Sequence, residues 1–200
     1  MAKKYFVTGI DTDSGKSVVS AILVKALKAD YWKPVQAGRP TDSDFIRQVC
    51  GPETTVHPEG LMLEHPMSPH ASAELEKLQI SISGLQLPQT PNDLIIEGAG
   101  GIMVPINDQE LVIDVAKKFD LEVILVSRNY LGSINHTLLS IDYLKRHNYK
   151  IKGIVFNGFH TPSTEDYILR YSGLPLLFRV DNLLSIDRNS LDEIASSISL

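Results

Sequence analysis

The chain has 200 residues, 43% of them hydrophobic, with a formal net charge of -5 and a single cysteine. That length buries roughly 70% of the unfolded chain's surface in one core, so one catalytic domain over residues 1–200 is expected. The acidic balance argues against a broad basic face for nucleic acid or an anionic membrane, which leaves small solutes as partners. Cys50, read as a small buried residue at a helix end before Gly51, excludes an internal disulfide framework and suits a reducing compartment. The start, MAKKYFVTGI, lacks the apolar segment of a secretory leader, and no run approaches a membrane span, so a cytoplasmic location is expected.

Short β-rich runs at residues 5–8, 31–35, 94–96, 123–126 and 151–156 alternate with helix-period segments. Such alternation predicts a mostly parallel sheet with helical crossovers packed on both faces. The first crossover carries Val18, Ile22 and Ala26 beside Val19, Leu23 and Leu27, a wide apolar stripe for the sheet. The spacing of Leu111, Val115 and Phe119, and of Ile134, Leu138 and Ile141, predicts two further helices. Residues 51–91 are rich in Pro, His and Ser and poorly periodic; they read as a connection within the domain, with residues 71–78 able to form a helix.

Between the first run and the first helix stands GIDTDSGKS. A glycine-rich turn entering a helix N-terminus binds phosphate because unpaired amides and the helix dipole point at one spot. Lys16 would then reach the β- and γ-phosphates, and the Ser17 hydroxyl would bind Mg²⁺. The fold class expected is therefore α/β and P-loop NTPase-like. The loop has five residues between its glycines rather than the usual four.

Ligands of open α/β sheets lie beyond the carboxyl ends of the strands. On that rim Lys33 ends the second run, ahead of Pro34, and Glu97 ends the third, ahead of GAGG, where missing side chains permit close approach. A carboxylate there is a natural second Mg²⁺ ligand. In TDSDF, Asp44 reads as a third ligand, while Asp42 equally suits an ordinary helix N-cap. Six histidines, including His65 and His70, show no compact zinc spacing.

GIDTDSGKS, KPVQAG, HPMSPH, EGAGG with the following VP, and LGSINHTLL occur in the order and approximate spacing seen in the dethiobiotin synthetase family, and the chain resembles that family through Asn157. The family's phosphate loop has the same five-residue interval. The resemblance implies an ATP-dependent cyclo-ligase. Such an enzyme carboxylates 7,8-diaminononanoate with CO2 to a carbamate, activates it as a carbamic-phosphoric anhydride, and closes the ureido ring to give dethiobiotin, ADP and phosphate.

It further implies that Thr12, Asp13, Ser14, Gly15, Lys16, Ser17 and Val18 hold the triphosphate, with Glu97, Gly98 and Asn157 completing the nucleotide site and Asn157 recognising adenine. Ser17, Asp44 and Glu97 would surround Mg²⁺, and Lys33 with Lys16 would be catalytic. Lys33, Ala37, Gly100 and Gly101 would meet the substrate. Leu131, Gly132, Ser133 and Asn135 would reach its carboxylate across the interface of a homodimer.

The chain departs from the family's pattern in three places. Ala37 stands where relatives often carry a hydroxyl residue, PLLFRVDNL replaces a turn that packs on the nucleotide base, and the first crossover is short. Two other kinds of protein compete with the ligase. A ParA/MinD-like ATPase switch carries a second lysine five residues before the loop lysine, where this chain has Asp11. A non-catalytic nucleotide-binding module would bind ATP without substrate-dependent turnover.

Overall fold

The computed structural model describes residues 2–200. Its elements run β1 (Lys4–Gly9), α1 (Lys16–Leu27), β2 (Asp30–Trp32), β3 (Val35–Ala37), α2 (Asp42–Cys50), β4 (Leu61–Leu63), α3 (Pro69–Leu75), β5 (Leu94–Gly101), α4 (Asp114–Lys118), β6 (Glu122–Arg128), α5 (Ser133–Arg146), β7 (Lys150–Asn157), α6 (Pro162–Ser172), β8 (Leu176–Val180) and α7 (Arg188–Ser196). Six strands form one sheet in the order β2-β5-β1-β6-β7-β8, and every pairing in it is parallel.

Side chains alternate between the two faces of a strand, and the core divides accordingly. Tyr5, Val7, Ile95, Ile124, Val126 and Val155 point to one face, where Val19, Ile22 and Leu23 of α1 and Leu191 of α7 cover them. Phe6, Leu94, Ile96, Val123, Leu125 and Phe156 point to the other, beneath Val115 of α4, Ile141 and Leu144 of α5 and Ile168 of α6. Helices on both faces explain why the central strands read as nearly continuous apolar runs.

Several expected boundaries shift, each for a local reason. The run 31–35 is two strands rather than one. At Lys33 the chain leaves the main sheet, Pro34 has no N–H to donate, and Val35–Ala37 pairs instead with Leu61–Leu63 in a small parallel sheet. The third run is longer than its apolar residues indicate: β5 continues through EGAGG, pairing Gly101 with Gly9. The helix read around Leu111 shortens to Asp114–Lys118, because Leu111 forms an antiparallel bridge with Pro105. Residues 51–91 do pack on the domain, through Ile80, Ile82, Leu85 and Leu87, and their helix is Pro69–Leu75. The short first crossover closes at Lys28, in the left-handed conformation, from which the chain enters β2 almost at once.

Candidate active site

The phosphate loop rises from β1 at Gly9, makes a 3-10 turn over Thr12–Ser14, and enters α1 through Gly15. Gly15 has φ of 89°, and a Cβ there would lie 2.0 Å from Asn157 Nδ2, so both conformation and space demand glycine. No side chain among the described residues caps α1, which leaves its first-turn amides for an anionic ligand. Lys16 is buried along the loop, donating to the carbonyls of Asp11 (3.1 Å) and Thr12 (3.0 Å). Burial, only partly opposed by Glu97, lowers its pKa to about 8.

Beside the loop four chemical groups come together: Ser17 from the start of α1, Lys33 just beyond β2, Asp42 from the first turn of α2 and Glu97 from the middle of β5. Lys33 is 2% exposed and Glu97 is fully buried. Lys33 Nζ lies 3.1 Å from Glu97 Oε1, 2.5 Å from Asp42 Oδ2 and 3.0 Å from the Gly98 carbonyl. Ser17 Oγ lies 2.9 Å from the same Glu97 oxygen and 3.2 Å from Asp42 Oδ1. Burial works against the Lys33 ammonium, but the charges and hydrogen bonds of Glu97 and Asp42 together outweigh it and hold its pKa above the ordinary lysine value. Asp42, for which burial acts the other way, is held below the ordinary carboxylate value by Lys33 and Ser17. Lys33 therefore stays a cation at neutral pH and cannot serve as a proton acceptor there.

The acid of TDSDF that lies beside Lys33 and Ser17 is Asp42, and not Asp44, the residue expected there. Asp44 is spent on the helix terminus: Thr41 Oγ1 accepts from its amide (3.0 Å), its own carboxylate accepts from the Thr41 amide (3.4 Å), and Arg47 pairs with it at 3.0 Å. That capping box makes Thr41, not Asp42, the N-cap and turns Asp44 outward. Asp42, on the first turn, turns toward Lys33, and its amide donates to Gln36 Oε1 (3.1 Å). Thr41 followed three residues later by an acid was the readable signal.

These groups line a cavity of about 510 Å³, with Thr12, Lys16, Ser17, Lys33, Asp42 and Glu97 on its polar side. Gln36, Ala37 and Pro40 form one wall and Pro66, Met67, Ser68 and Pro69 of HPMSPH another. The two walls are pressed together: a Cβ on Gly38 would fall 2.5 Å from Pro66. Gly100 lines the cavity with φ of 62°, held against Val104, while Gly101 belongs to a neighbouring groove with Met103, His136 and Leu139. Ala37 offers only a methyl group, and Gln36 is the amide at that wall.

Of the other expected residues, Asn157 lies at the loop, donating from Nδ2 to the Ser14 carbonyl (2.9 Å). The segment of Leu131, Gly132, Ser133 and Asn135 does not border the cavity within one chain. Leu131 is fully exposed, Gly132 has φ of 103°, and α5 begins without a side-chain cap. Ser133 Oγ is buried there without a hydrogen-bond partner among the described residues.

The charges of Lys16 and Lys33 cancel those of Asp42 and Glu97, so a polyphosphate in this cavity would need further positive charge. Two carboxylates that each lie within 3.2 Å of the Ser17 hydroxyl are, with that hydroxyl, the donor set a hard cation such as Mg²⁺ takes alongside phosphate oxygens.

Residues 3–190 match the family described as "AAA domain". The ATP-dependent dethiobiotin synthetase BioD of Cytophaga hutchinsonii is 55% identical over 181 residues, 89% of this chain and 88% of its own. That of Christiangramia forsetii is 46% identical over 98% of this chain and 95% of its own. Among solved structures, the septum site-determining protein MinD of Pyrococcus horikoshii, complexed with Mg-ADP, superposes with a TM-score of 0.57 at 14% identity, covering 98% of this chain and 95% of that one. A ParA family ATPase of Chlorobium tepidum gives 0.53 at 16% identity, over 98% of this chain and 89% of its own. The last two share the P-loop NTPase fold. The extent and identity of the first two place this chain in the ATP-dependent dethiobiotin synthetase family.

Proposed function

We propose that the chain, acting as one catalytic domain, is a cyclo-ligase that uses ATP to join CO2 to the two amines of 7,8-diaminononanoate and close the ureido ring of dethiobiotin. The observation that carries this reading is the buried Lys33 ammonium at the mouth of a phosphate loop, held by Asp42 and Glu97. Phosphoryl transfer asks a protein for positioning and charge stabilisation more than for covalent chemistry.

Bound Mg-ATP supplies the phosphoryl group that activates the carbamate. Lys16 and the first amides of α1 would hold the triphosphate, and Ser17, Asp42 and Glu97 would hold Mg²⁺. Lys33, cationic at neutral pH, binds the carbamate oxygens and stabilises charge as it develops. It also favours the neutral form of the incoming amine, which has a pKa of about 10.4 in solution by analogy with lysine. Gly100 and the Ala37 wall orient the alkyl diamine. Asn157, held against the loop through the Ser14 carbonyl, would meet the adenine. The open α5 N-terminus, with Ser133 and Asn135, receives the substrate carboxylate from a partner subunit, which makes the working form a homodimer. A cytoplasmic enzyme with small-molecule substrates, and without nucleic-acid or membrane partners, fits an acidic chain whose described helices are too short or too polar to cross a membrane.

The test is ADP release with Mg-ATP and bicarbonate, with and without 7,8-diaminononanoate, reading the product by mass. Substrate-dependent release with a dethiobiotin mass supports the ligase. ADP release indifferent to the diamine would return the protein to the ATPase-switch class, and ATP binding without ADP release to the binding-module class.

A further inference from the structure

We infer that Tyr31 is a positioning residue of this active site: its phenol ties one oxygen of Glu97 so that the other is presented to Ser17 and Lys33. The inference rests on the Mg²⁺ role proposed for Glu97.

Strands β2 and β5 are parallel neighbours, with Tyr31 opposite Ile95. Glu97 lies two residues beyond Ile95 and Lys33 two beyond Tyr31, so period-two alternation gives the phenol and the carboxylate the same side of the sheet. Tyr31 Oη donates to Glu97 Oε2 at 3.0 Å, and both residues are fully buried. The phenol is the donor of this bond and the carboxylate oxygen its acceptor. Among the described residues it is the only hydrogen bond of the phenol and the only one of Oε2, whereas Oε1 receives both Ser17 and Lys33.

The phenol is itself well anchored. The Tyr31 amide donates to the Thr55 carbonyl, and the Tyr31 carbonyl accepts from the His57 amide, each at 2.9 Å. Its ring belongs to the core cluster that includes Val7, Ile22 and Ile46. Tyr31 does not line the cavity, so any influence on a ligand must pass through Glu97. Without the phenol, rotation of the Glu97 carboxylate would let both oxygens turn to the Lys33 ammonium, and a bidentate pair would compete with a cation for the same group. A tyrosine serving only the core needs an acceptor of any kind; this one uses the carboxylate on which the site converges.

The experiment titrates Mn²⁺ into the protein carrying one equivalent of ADP, counting free ion by electron paramagnetic resonance. Tyr31→Phe keeps the ring and removes the donor. The expected result is 10- to 100-fold weaker Mn²⁺ binding, the scale for losing the partner of a metal ligand. Turnover should recover toward wild type at high Mg²⁺, an effect on the metal constant rather than on kcat. In a Glu97→Gln background Tyr31→Phe should change Mn²⁺ affinity no further. A lowered melting temperature with unchanged Mn²⁺ affinity would assign Tyr31 to the core alone and overturn the inference, as would a full additional loss in the Glu97→Gln background. Should Glu97→Gln itself leave Mn²⁺ affinity intact, the metal role of Glu97 fails instead, and the two failures are told apart. If Tyr31→Phe does not fold, 4-aminophenylalanine at position 31 restores a donor and should keep wild-type affinity; a variant that folds with that donor and binds Mn²⁺ weakly overturns the inference.

Discussion

Lys33→Ala removes the central cation of the site and leaves Asp42 and Glu97 facing one another. Stripping one partner from a buried ion pair costs about 3–5 kcal/mol of stability. Here Ser17 and Tyr31 still donate to Glu97, and the Asp42 side chain is 35% exposed and can turn to water, so the low end, about 3 kcal/mol, is expected. For a chain of this size that is a fall in melting temperature of about 6–12 °C, which leaves a folded protein to assay at 25 °C. The catalytic loss is separate. Losing one preorganised charge that meets the transition state lowers kcat by roughly 10²- to 10³-fold, while the loop and Lys16 continue to bind nucleotide. The assay pairs steady-state ADP release, at saturating ATP and diamine, with calorimetric ATP binding and a thermal melt. If the melting temperature falls as expected but kcat stays within a few-fold of wild type, Lys33 is only the counter-charge of two buried acids, and the catalytic reasoning is refuted.

Three further outcomes follow from the same geometry. Asp42→Asn should raise the Mg²⁺ concentration needed for half-maximal turnover by about tenfold or more, the lower end for a disturbed metal partner, whereas Asp44→Asn should lower the melting temperature through the lost cap and leave the Mg²⁺ curve in place; the reverse pattern would restore Asp44 to the site. Asn135→Asp suits a helix N-terminus and should preserve the fold, yet its charge should raise KM for the diamine about tenfold, roughly 1.4 kcal/mol of repulsion at partial exposure, with KM for ATP unchanged; equal effects on both ligands would remove the carboxylate from α5. Free Lys16, its pKa lowered to about 8, is mostly neutral at pH 9, and a polyphosphate favours its charged form. Nucleotide binding should therefore take up protons and weaken as pH rises above about 8, seen as a dependence of the calorimetric enthalpy on buffer ionisation at pH 8.5. Affinity that stays flat from pH 7 to 9.5 would contradict it.

The residues that could be read in advance were those whose chemistry is local. Gly15, Lys16 and Ser17 carry their meaning within one turn of chain, because a strand, a glycine turn and a helix start suffice to build a phosphate cradle. The parallel sheet was equally legible, since strands buried on both faces read as apolar runs between helical periods. Lys33 and Glu97 could be placed on the rim because each ends such a run. Two short elements were not legible: β8 is a five-residue edge strand and β4 a three-residue strand of the small sheet, and although LLFRV and LML are apolar, each is only partly buried and too short to stand out as a central strand does.

Which acid of TDSDF faces the site was decided in three dimensions. Both carboxylates have the same chemistry one turn from a helix start, and only the closing of the capping box on Thr41 sends Asp44 outward and Asp42 to Lys33. The same holds for Tyr31 and Glu97, 66 residues apart in the chain. Local sequence determines what a residue can donate or accept; which partner it meets is set by strand order and register, and those follow from burying both faces of the whole sheet at once.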